Sequence, residues 1–227
     1  DWGPLTSWRH EGAGSVEVRT EDPVHANNAH YLRLIGPVAL TNEGFDPIRA
    51  QEGQALRLTF ASWSVSGHGD VSIAVVNTEG AELASASLTT QRGGWTWHEI
   101  DLLPPRSGHA ELRFTVPEGL PFEIDVISLR PVGEDGKALT FRPDILAALV
   151  DLHPSFIRFP GGCVAHGLGL GNMYNWKPSI GARFEREQTF NLWGYHQSRQ
   201  IGYLEYFELC QATGASPLPV VAAGVCC

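Results

Sequence analysis

Hydrophobic and polar residues alternate with a period of two between residues 15 and 129. Leu56, Leu58 and Phe60, for example, alternate with Arg57 and Thr59. This period places successive side chains on opposite faces of a β-strand, one facing a core and the other facing water. Alternation and short apolar runs predict six strands, at Tyr31–Ile35, Leu56–Phe60, Val71–Val76, Trp95–Ile100, Leu112–Val116 and Glu123–Leu129.

Clusters of Gly, Pro, Asn and Asp separate these short strands at fairly even spacing. Evenly spaced short strands with such turns are typical of a β-sandwich or jelly roll. Residues 1–132 are therefore predicted to form a sandwich domain. The polar stretch that follows, at residues 131–138, is predicted to be a linker.

The period changes in residues 139–227, which follow the rhythm of an α/β fold. The predicted order is a helix (141–152), a strand (155–159), a long loop (160–200), a second helix (202–213) capped by Gly214, and a strand (218–223). Alternating helices and strands indicate a parallel sheet or barrel. A closed (β/α)8 barrel needs roughly 250 residues. The chain is thus predicted to be multi-domain, β plus α/β, with a partial TIM barrel after the sandwich.

Composition excludes several classes of partner. The formal net charge of −9 disfavours nucleic acid and anionic membrane surfaces, both of which select for basic patches. No apolar run is long enough to span a bilayer, and no signal peptide is visible at the first residues.

Two short motifs are candidate metal or cofactor sites. Cys163-x-x-His166 supplies only one pair of metal ligands, whereas a zinc site needs two pairs. Gly167-Leu-Gly-Leu-Gly171 is not followed by a helical stripe, as a dinucleotide-binding motif would be. We therefore expect neither a metal nor a cofactor.

Arg158 is the strongest candidate site residue because it stands near the carboxyl end of a predicted parallel strand. Ligand sites of βα folds lie at this end of the strands. A charged residue in a buried strand needs a partner. Arg158 would therefore bind a substrate or an anionic catalytic group, or else form a structural ion pair. Pro160-Gly161-Gly162 allows the backbone to turn sharply next to a ligand.

The loop at residues 160–200 is unusually long, and its composition suits a carbohydrate. Aromatic faces and planar polar groups occur together in it, at Asn172, Tyr174, Trp176, Asn191, Trp193, Tyr195, His196 and Gln197. The alternative is that these aromatic side chains pack a large surface loop.

Carboxylates suitable for catalysis are not evident in the second half. Glu205 and Glu208 are predicted to lie on the solvated face of a helix, and Glu185 and Glu187 at the surface of the loop. In the sandwich, Trp63, Trp95 and Trp97 form either a sugar-stacking platform or ordinary packing. A non-catalytic carbohydrate-binding module therefore remains an alternative function.

Five segments in the second half, taken in order, resemble the family-51 α-L-arabinofuranosidases. They are Phe141-Arg-Pro-Asp144, Phe156-Ile-Arg-Phe-Pro-Gly-Gly-Cys163, Asn172-Met-Tyr-Asn-Trp-Lys177 with Ile180-Gly181, Asn191-Leu-Trp-Gly-Tyr195 and Gly202-Tyr-Leu-Glu-Tyr-Phe207. The N-terminal half is similar to the carbohydrate-binding-type sandwich of larger members, in segments 27–28, 30–33 and 42–45.

The resemblance implies a retaining glycosidase that releases terminal α-L-arabinofuranosyl groups from arabinan, arabinoxylan or their oligosaccharides through two glutamates. In the family these glutamates come from the fourth and seventh barrel strands, so we expect no catalytic residue in this chain, which alone is expected to be inactive. The resemblance assigns Arg158, Cys163 and Trp193 to substrate binding. An open barrel would need the missing residues, a complementing fragment or self-association as a homo-oligomer. An extracellular or periplasmic location is favoured over a cytoplasmic one.

Overall fold

A computed structural model describes residues 3, 5–42, 44, 48–65 and 67–227 of the chain. It divides the chain into two units. The first comprises residues 1–24 and 30–139, and the second comprises residues 25–29 and 140–227. None of the helices in the described ranges is long and apolar enough to cross a membrane.

The first unit is a β-sandwich. Its strands are β1 (Trp8–Glu11), β2 (Ser15–Arg19), β3 (Tyr31–Ile35), β4 (Val38–Asn42), β5 (Ile48–Ala50), β6 (Leu56–Trp63), β7 (Asp70–Asn77), β8 (Glu82–Thr89), β9 (Thr96–Leu102), β10 (Gly108–Val116) and β11 (Pro121–Pro131). One antiparallel sheet has the order β1-β4-β10-β7-β8, with β5 also paired to β10. The other has the order β2-β3-β11-β6-β9.

The core lies between these two sheets, and the period-two alternation explains it. Leu58 and Phe60 from one sheet meet Ile73 and Phe114 from the other, and all four side chains are fully buried. The six predicted strands are confirmed in position, although several extend further than the pattern indicated. The sandwich part of the predicted fold class is therefore confirmed.

The polar stretch after β11 is not an open linker. Val132 pairs with Ala138 in an isolated β-bridge, and the Gly133 N–H donates to the Lys137 carbonyl oxygen at 2.8 Å. The Arg57 guanidinium also donates to the Gly136 carbonyl oxygen at 3.1 Å. Backbone pairing, which polarity alone does not reveal, closes the stretch into a turn just before the boundary between the two units at residues 139 and 140. Of the segment at 42–45, Glu43 and Phe45 lie outside the described residues.

The second unit contains short elements around two parallel strands. They are α1 (Pro143–Asp151), β12 (Phe156–Phe159), α2 (Gly162–His166), β13 (Thr189–Phe190), β14 (His196–Gln197), α3 (Tyr203–Thr213) and β15 (Ser216–Pro219). β12 and β15 pair in parallel, with Arg158 opposite Leu218, and β13 pairs antiparallel with β14. Helix α3 ends at Gly214 in the left-handed conformation, as predicted.

The last strand differs in extent from its prediction. It was expected at residues 218–223 but runs over Ser216–Pro219. The Val220 N–H still donates to the Phe159 carbonyl oxygen at 2.8 Å. Beyond that bond β12 offers no further pairing, because Pro160 lacks an N–H and Gly161 has a φ of 115° that turns the chain aside.

The excursion at residues 25–29, between β2 and β3, belongs to the second unit. The Asn27 side-chain amide donates to the Glu185 carbonyl oxygen at 2.7 Å. The rings of His25 and Phe184 lie edge to face, with 6.2 Å between their centroids. Residues distant in sequence therefore support the loop that follows β12.

Candidate functional site

Helix α3 holds the two parallel strands in place through its tyrosines. Ile157 and Phe159 of β12 pack against the aromatic side chains of α3. The Phe159 ring stacks on Tyr206 with 5.2 Å between centroids. The Tyr206 hydroxyl donates to the Ile157 carbonyl oxygen at 2.8 Å, and the Tyr203 hydroxyl donates to the Val220 carbonyl oxygen at 2.5 Å. The strand face that carries Ile157 and Phe159 is thereby fixed against the helix.

Arg158 lies on the other face of β12, because neighbouring side chains in a strand alternate. Its side chain is exposed and makes no hydrogen bond or ion pair within the part of the chain that the structure describes. The guanidinium lies over the turn that leaves the strand. A Cβ built on Gly162 would be 3.3 Å from its Nη2 atom, and one built on Gly161 would be 4.0 Å from its Nη1 atom. Five N–H donors are thus presented beside the start of the long loop.

Cys163 is exposed and lies in the first turn of α2, directly after Gly162. Its Sγ atom is 3.0 Å from the Sγ of Cys227. Sequence reasoning had assigned Cys163 alone to the site and had not paired it with a second cysteine. No local sequence pattern could have paired the two cysteines, because 64 residues separate them.

Trp193 is held by a turn that leaves its ring open to solvent. The Asn191 Oδ1 atom accepts the backbone N–H groups of Trp193, at 2.9 Å, and Tyr195, at 3.3 Å. The Trp193 and Tyr195 rings are nearly parallel, at 13°, with 6.3 Å between centroids. They are 54% and 55% exposed, which is unusual for two neighbouring large aromatic side chains. Sugar rings commonly stack on such exposed aromatic faces.

The three predicted site residues are not equally close to one another. Arg158 and Cys163 flank the same turn at the end of β12. Trp193 lies in a separate turn further along the loop, and the described residues show no hydrogen bond or ring contact between it and either of the other two. The assignment of all three to substrate binding stays a prediction.

The expectation that Glu205 lies on a solvated helix face was wrong. Glu205 is buried in the first turn of α3, where it accepts hydrogen bonds from the Arg186 guanidinium and from the Gly202 N–H. Burial acts to raise the pKa of Glu205, but these hydrogen bonds outweigh it and the pKa lies below its ordinary value. Glu185, Glu187 and Glu208 are exposed, as predicted.

Arg199 is a second buried cation in the loop that sequence reasoning missed. Its guanidinium carbon lies 5.4 Å from the centroid of the Tyr174 ring, which favours a cation–π interaction. Desolvation lowers the pKa of Arg199, and desolvation raises the pKa of Tyr174. The loop therefore has a polar interior of its own, which explains how a long segment with little regular structure stays ordered.

In the sandwich, the three tryptophans do not form one flat platform. Trp63 and Trp95 pack edge to face, with 6.0 Å between ring centroids, and Tyr31 packs edge to face on Trp95. The Trp95 indole N–H donates to the Asp22 carbonyl oxygen at 2.7 Å. Trp97 is 48% exposed. Packing explains the first two, and sugar binding by Trp97 stays a prediction.

In the described ranges, no group of three His, Cys, Asp or Glu side chains is arranged to hold a metal ion. His166, the second candidate ligand of the Cys163-x-x-His166 motif, places its Nδ1 atom 3.0 Å from the Val225 carbonyl oxygen.

Comparison with known proteins gives matches along nearly the whole chain. Residues 148–227 match the family model described as the α-L-arabinofuranosidase 1 domain. The chain is 32% identical to an extracellular exo-α-L-arabinofuranosidase of Streptomyces chartreusis over 97% of its own length and 28% of that protein. It is 32% identical to α-L-arabinofuranosidase 2 of Arabidopsis thaliana over 84% of the chain and 29% of that protein.

A solved structure extends these matches to the fold. The structure of an arabinose-bound α-L-arabinofuranosidase of family GH51 superimposes with a TM-score of 0.88 at 25% identity, covering 98% of this chain and 39% of that one. The chain thus spans about a third of the length of the proteins that it matches. These matches confirm the resemblance to the family-51 α-L-arabinofuranosidases.

Proposed function

We propose that this chain is the substrate-binding part of a family-51 α-L-arabinofuranosidase that removes terminal α-L-arabinofuranosyl groups from arabinan, arabinoxylan or their oligosaccharides. The proposal rests on the relatives, which carry this name, and on Arg158. This arginine stands at the carboxyl end of a parallel strand with its guanidinium exposed and without a partner in the described residues. A structural ion pair, the alternative role for Arg158, would give it a carboxylate partner.

The proposed mechanism is a retaining double displacement. One carboxylate attacks the anomeric carbon, while the other protonates the leaving oxygen and later activates water. The chain spans 28% of the Streptomyces relative. We therefore assign the two glutamates to residues outside this chain. Arg158, Cys163 and the Trp193 ring would bind and orient the sugar.

We further propose that β12 and β15 are two strands of a (β/α)8 barrel. Helix α3 covers one face of this pair, and the opposite face carries Arg158 beside Leu218, with Phe156 two residues before. Phe156 is 58% exposed and Leu218 is 47% exposed. In a parallel barrel that face points to the interior, where further strands would cover the two apolar side chains. Accordingly, we place the sandwich at residues 1–132 and the partial barrel at residues 139–227.

Hydrolysis of a nitrophenyl α-L-arabinofuranoside tests the function. The test protein is the gene product that contains this chain together with its flanking residues. We expect the full product to hydrolyse this substrate with retention of anomeric configuration. NMR of the released sugar measures that configuration. This chain by itself should be inactive. Hydrolysis of nitrophenyl pyranosides alone would overturn the proposal.

Two variants of the full product test the assigned residues. Arg158→Ala should lower kcat/KM about a hundredfold or more, and Arg158→Lys should restore only part of it because an ammonium lacks the planar fork of donors. Trp193→Ala should raise KM about tenfold with a smaller effect on kcat, because a stacking surface binds the ground state and the transition state alike. Arg106→Ala and Leu103→Ala, at exposed positions in the sandwich that no proposal assigns to sugar binding, are controls that should leave both constants unchanged. Equal effects of site and control variants would contradict the assignment.

A further inference from the structure

Two segments of the second unit meet at a pair of cysteines. The thiols of Cys163, in α2, and Cys227, in the segment after β15, are 3.0 Å apart, and both side chains are exposed. A disulfide needs its sulfur atoms at about 2.05 Å. The two sulfurs therefore need to approach by only about 1 Å to reach bonding distance.

Contacts that do not involve sulfur hold the same two segments together. The Cys227 backbone N–H donates to the Gly167 carbonyl oxygen at 2.9 Å, just after α2. The His166 Nδ1 atom lies 3.0 Å from the Val225 carbonyl oxygen. The Gly167 N–H in turn donates to the Cys163 carbonyl oxygen at 2.8 Å. The fold itself thus brings the thiols together, and the described residues show no such hydrogen bond of Cys226.

We propose that Cys163 and Cys227 are a dithiol pair that closes to an intramolecular disulfide on exposure to a small-molecule disulfide such as oxidised glutathione. In the first step the Cys163 thiolate attacks one glutathione sulfur, forming a mixed disulfide and releasing a glutathione thiolate. In the second, the Cys227 thiolate attacks the Cys163 sulfur and releases the other glutathione thiolate. The two protein thiols give up two protons and two electrons, and the glutathione disulfide is reduced to two thiols.

The order of these steps follows from the local electrostatics. The hydrogen bond that the Cys227 thiol donates to Cys163 raises the pKa of Cys227, so this thiol keeps its proton longer. The thiolate is the attacking species, which assigns the first attack to Cys163.

The position of the pair gives the bond a consequence. Cys163 directly follows Gly162, over which the Arg158 guanidinium lies. A disulfide would connect the turn after β12 to the segment after β15, and it would remove the Cys163 S–H as a donor. An effect on sugar binding rests on the proposed function, whereas formation of the bond does not.

Peptide mapping after oxidation tests the bond by itself. The folded chain is incubated with oxidised glutathione, quenched in acid, alkylated and digested. We expect Cys163 linked to Cys227 in about tenfold or greater excess over Cys163 linked to Cys226, because only Cys227 is held at bonding range. In concentrated guanidinium chloride the two linkages should form in comparable amounts, since adjacent positions close loops of nearly equal length.

Serine variants give the matched controls. Cys226→Ser should leave the linkage intact, and Cys227→Ser should stop the reaction at the mixed disulfide of Cys163 with glutathione. Circular dichroism of each variant verifies that it is folded, and the comparison of the two linkages in the unmodified chain needs no variant. Equal amounts of both linkages in the folded chain, mixed disulfides only, or no reaction at Cys163 would each overturn the proposal.

Discussion

Arg186 and Glu205 form a bidentate ion pair that ties the long loop to helix α3. The Arg186 Nη2 atom is 2.7 Å from Oε1 of Glu205, and Nη1 is 2.9 Å from Oε2. The same guanidinium donates to the carbonyl oxygens of Gly181 and Arg199. Both side chains are almost fully buried, at 2% and 5% exposure. One arginine therefore connects the middle and the end of the loop to the first turn of the helix.

Arg186→Ala should destabilise α3 by about 3–5 kcal/mol, because it leaves the Glu205 carboxylate buried without its cation. The rate at which buried Cys210 is labelled by a thiol reagent reports local opening of the helix, in a background with serine at the other three cysteines. Arg183→Ala is the matched control. Its Nε is 3.8 Å from Oε1 of Glu205 and its side chain is 26% exposed, so we expect a loss below about 1 kcal/mol. Equal labelling rates in the two variants would contradict this prediction.

The Tyr206 hydroxyl should contribute about 1 kcal/mol to the docking of α3 on β12. It is buried and donates to the Ile157 carbonyl oxygen at 2.8 Å, so Tyr206→Phe removes one buried hydrogen bond between the helix and the strand. Amide hydrogen exchange in α3 and β12 measures the change. Tyr195→Phe, at an exposed ring whose hydroxyl makes no hydrogen bond to the described residues, should leave exchange unchanged. A protection loss in both variants would indicate a nonspecific effect.

The alternation of side chains made much of the sandwich predictable. Leu58 and Phe60 revealed which side of β6 faces the core, because burial of one strand face makes hydrophobic residues recur at every second position. The same rule did not reveal that Glu205 is buried. Its position on α3 suits solvent, and burial becomes favourable through the Arg186 guanidinium, brought from 19 residues earlier, together with the Gly202 N–H. Likewise, the proximity of Cys163 and Cys227 depends on parallel pairing of β12 with β15, which no local pattern encodes.

A single methyl group should disrupt the sandwich at Gly36. A Cβ built there would lie well inside the van der Waals radius of the Pro117 carbonyl oxygen, which belongs to the backbone and has no rotamer to yield. Gly36→Ala should cost about 3 kcal/mol or more, the upper range for overpacking. Urea unfolding followed by tryptophan fluorescence measures it. Gly94→Ala, with nothing within 4 Å of its added Cβ, is the matched control and should unfold at the urea concentration of the unmodified chain.

His98 makes the stability of the sandwich sensitive to acid. Its ring packs on Phe60 with 4.9 Å between centroids, and its Nε2 atom is 2.8 Å from the Ser62 hydroxyl oxygen. Desolvation lowers the pKa of His98 below its ordinary value. The unfolded chain thus binds a proton at a higher pH than the folded chain does.

This difference fixes the sign of the pH dependence. Above the unfolded pKa of about 6.5 neither state is protonated at His98, and its contribution is constant. As the pH falls below about 6.5, the unfolded state gains a proton that the folded state binds only at lower pH, so stability decreases until the folded pKa is passed. Melting temperatures measured by tryptophan fluorescence between about pH 8 and pH 5 should fall, and His98→Gln should flatten part of that fall. His109→Gln, at an exposed position on β10, is the matched control and should keep the full slope. An unchanged slope in His98→Gln would show that groups other than His98 cause the loss of stability.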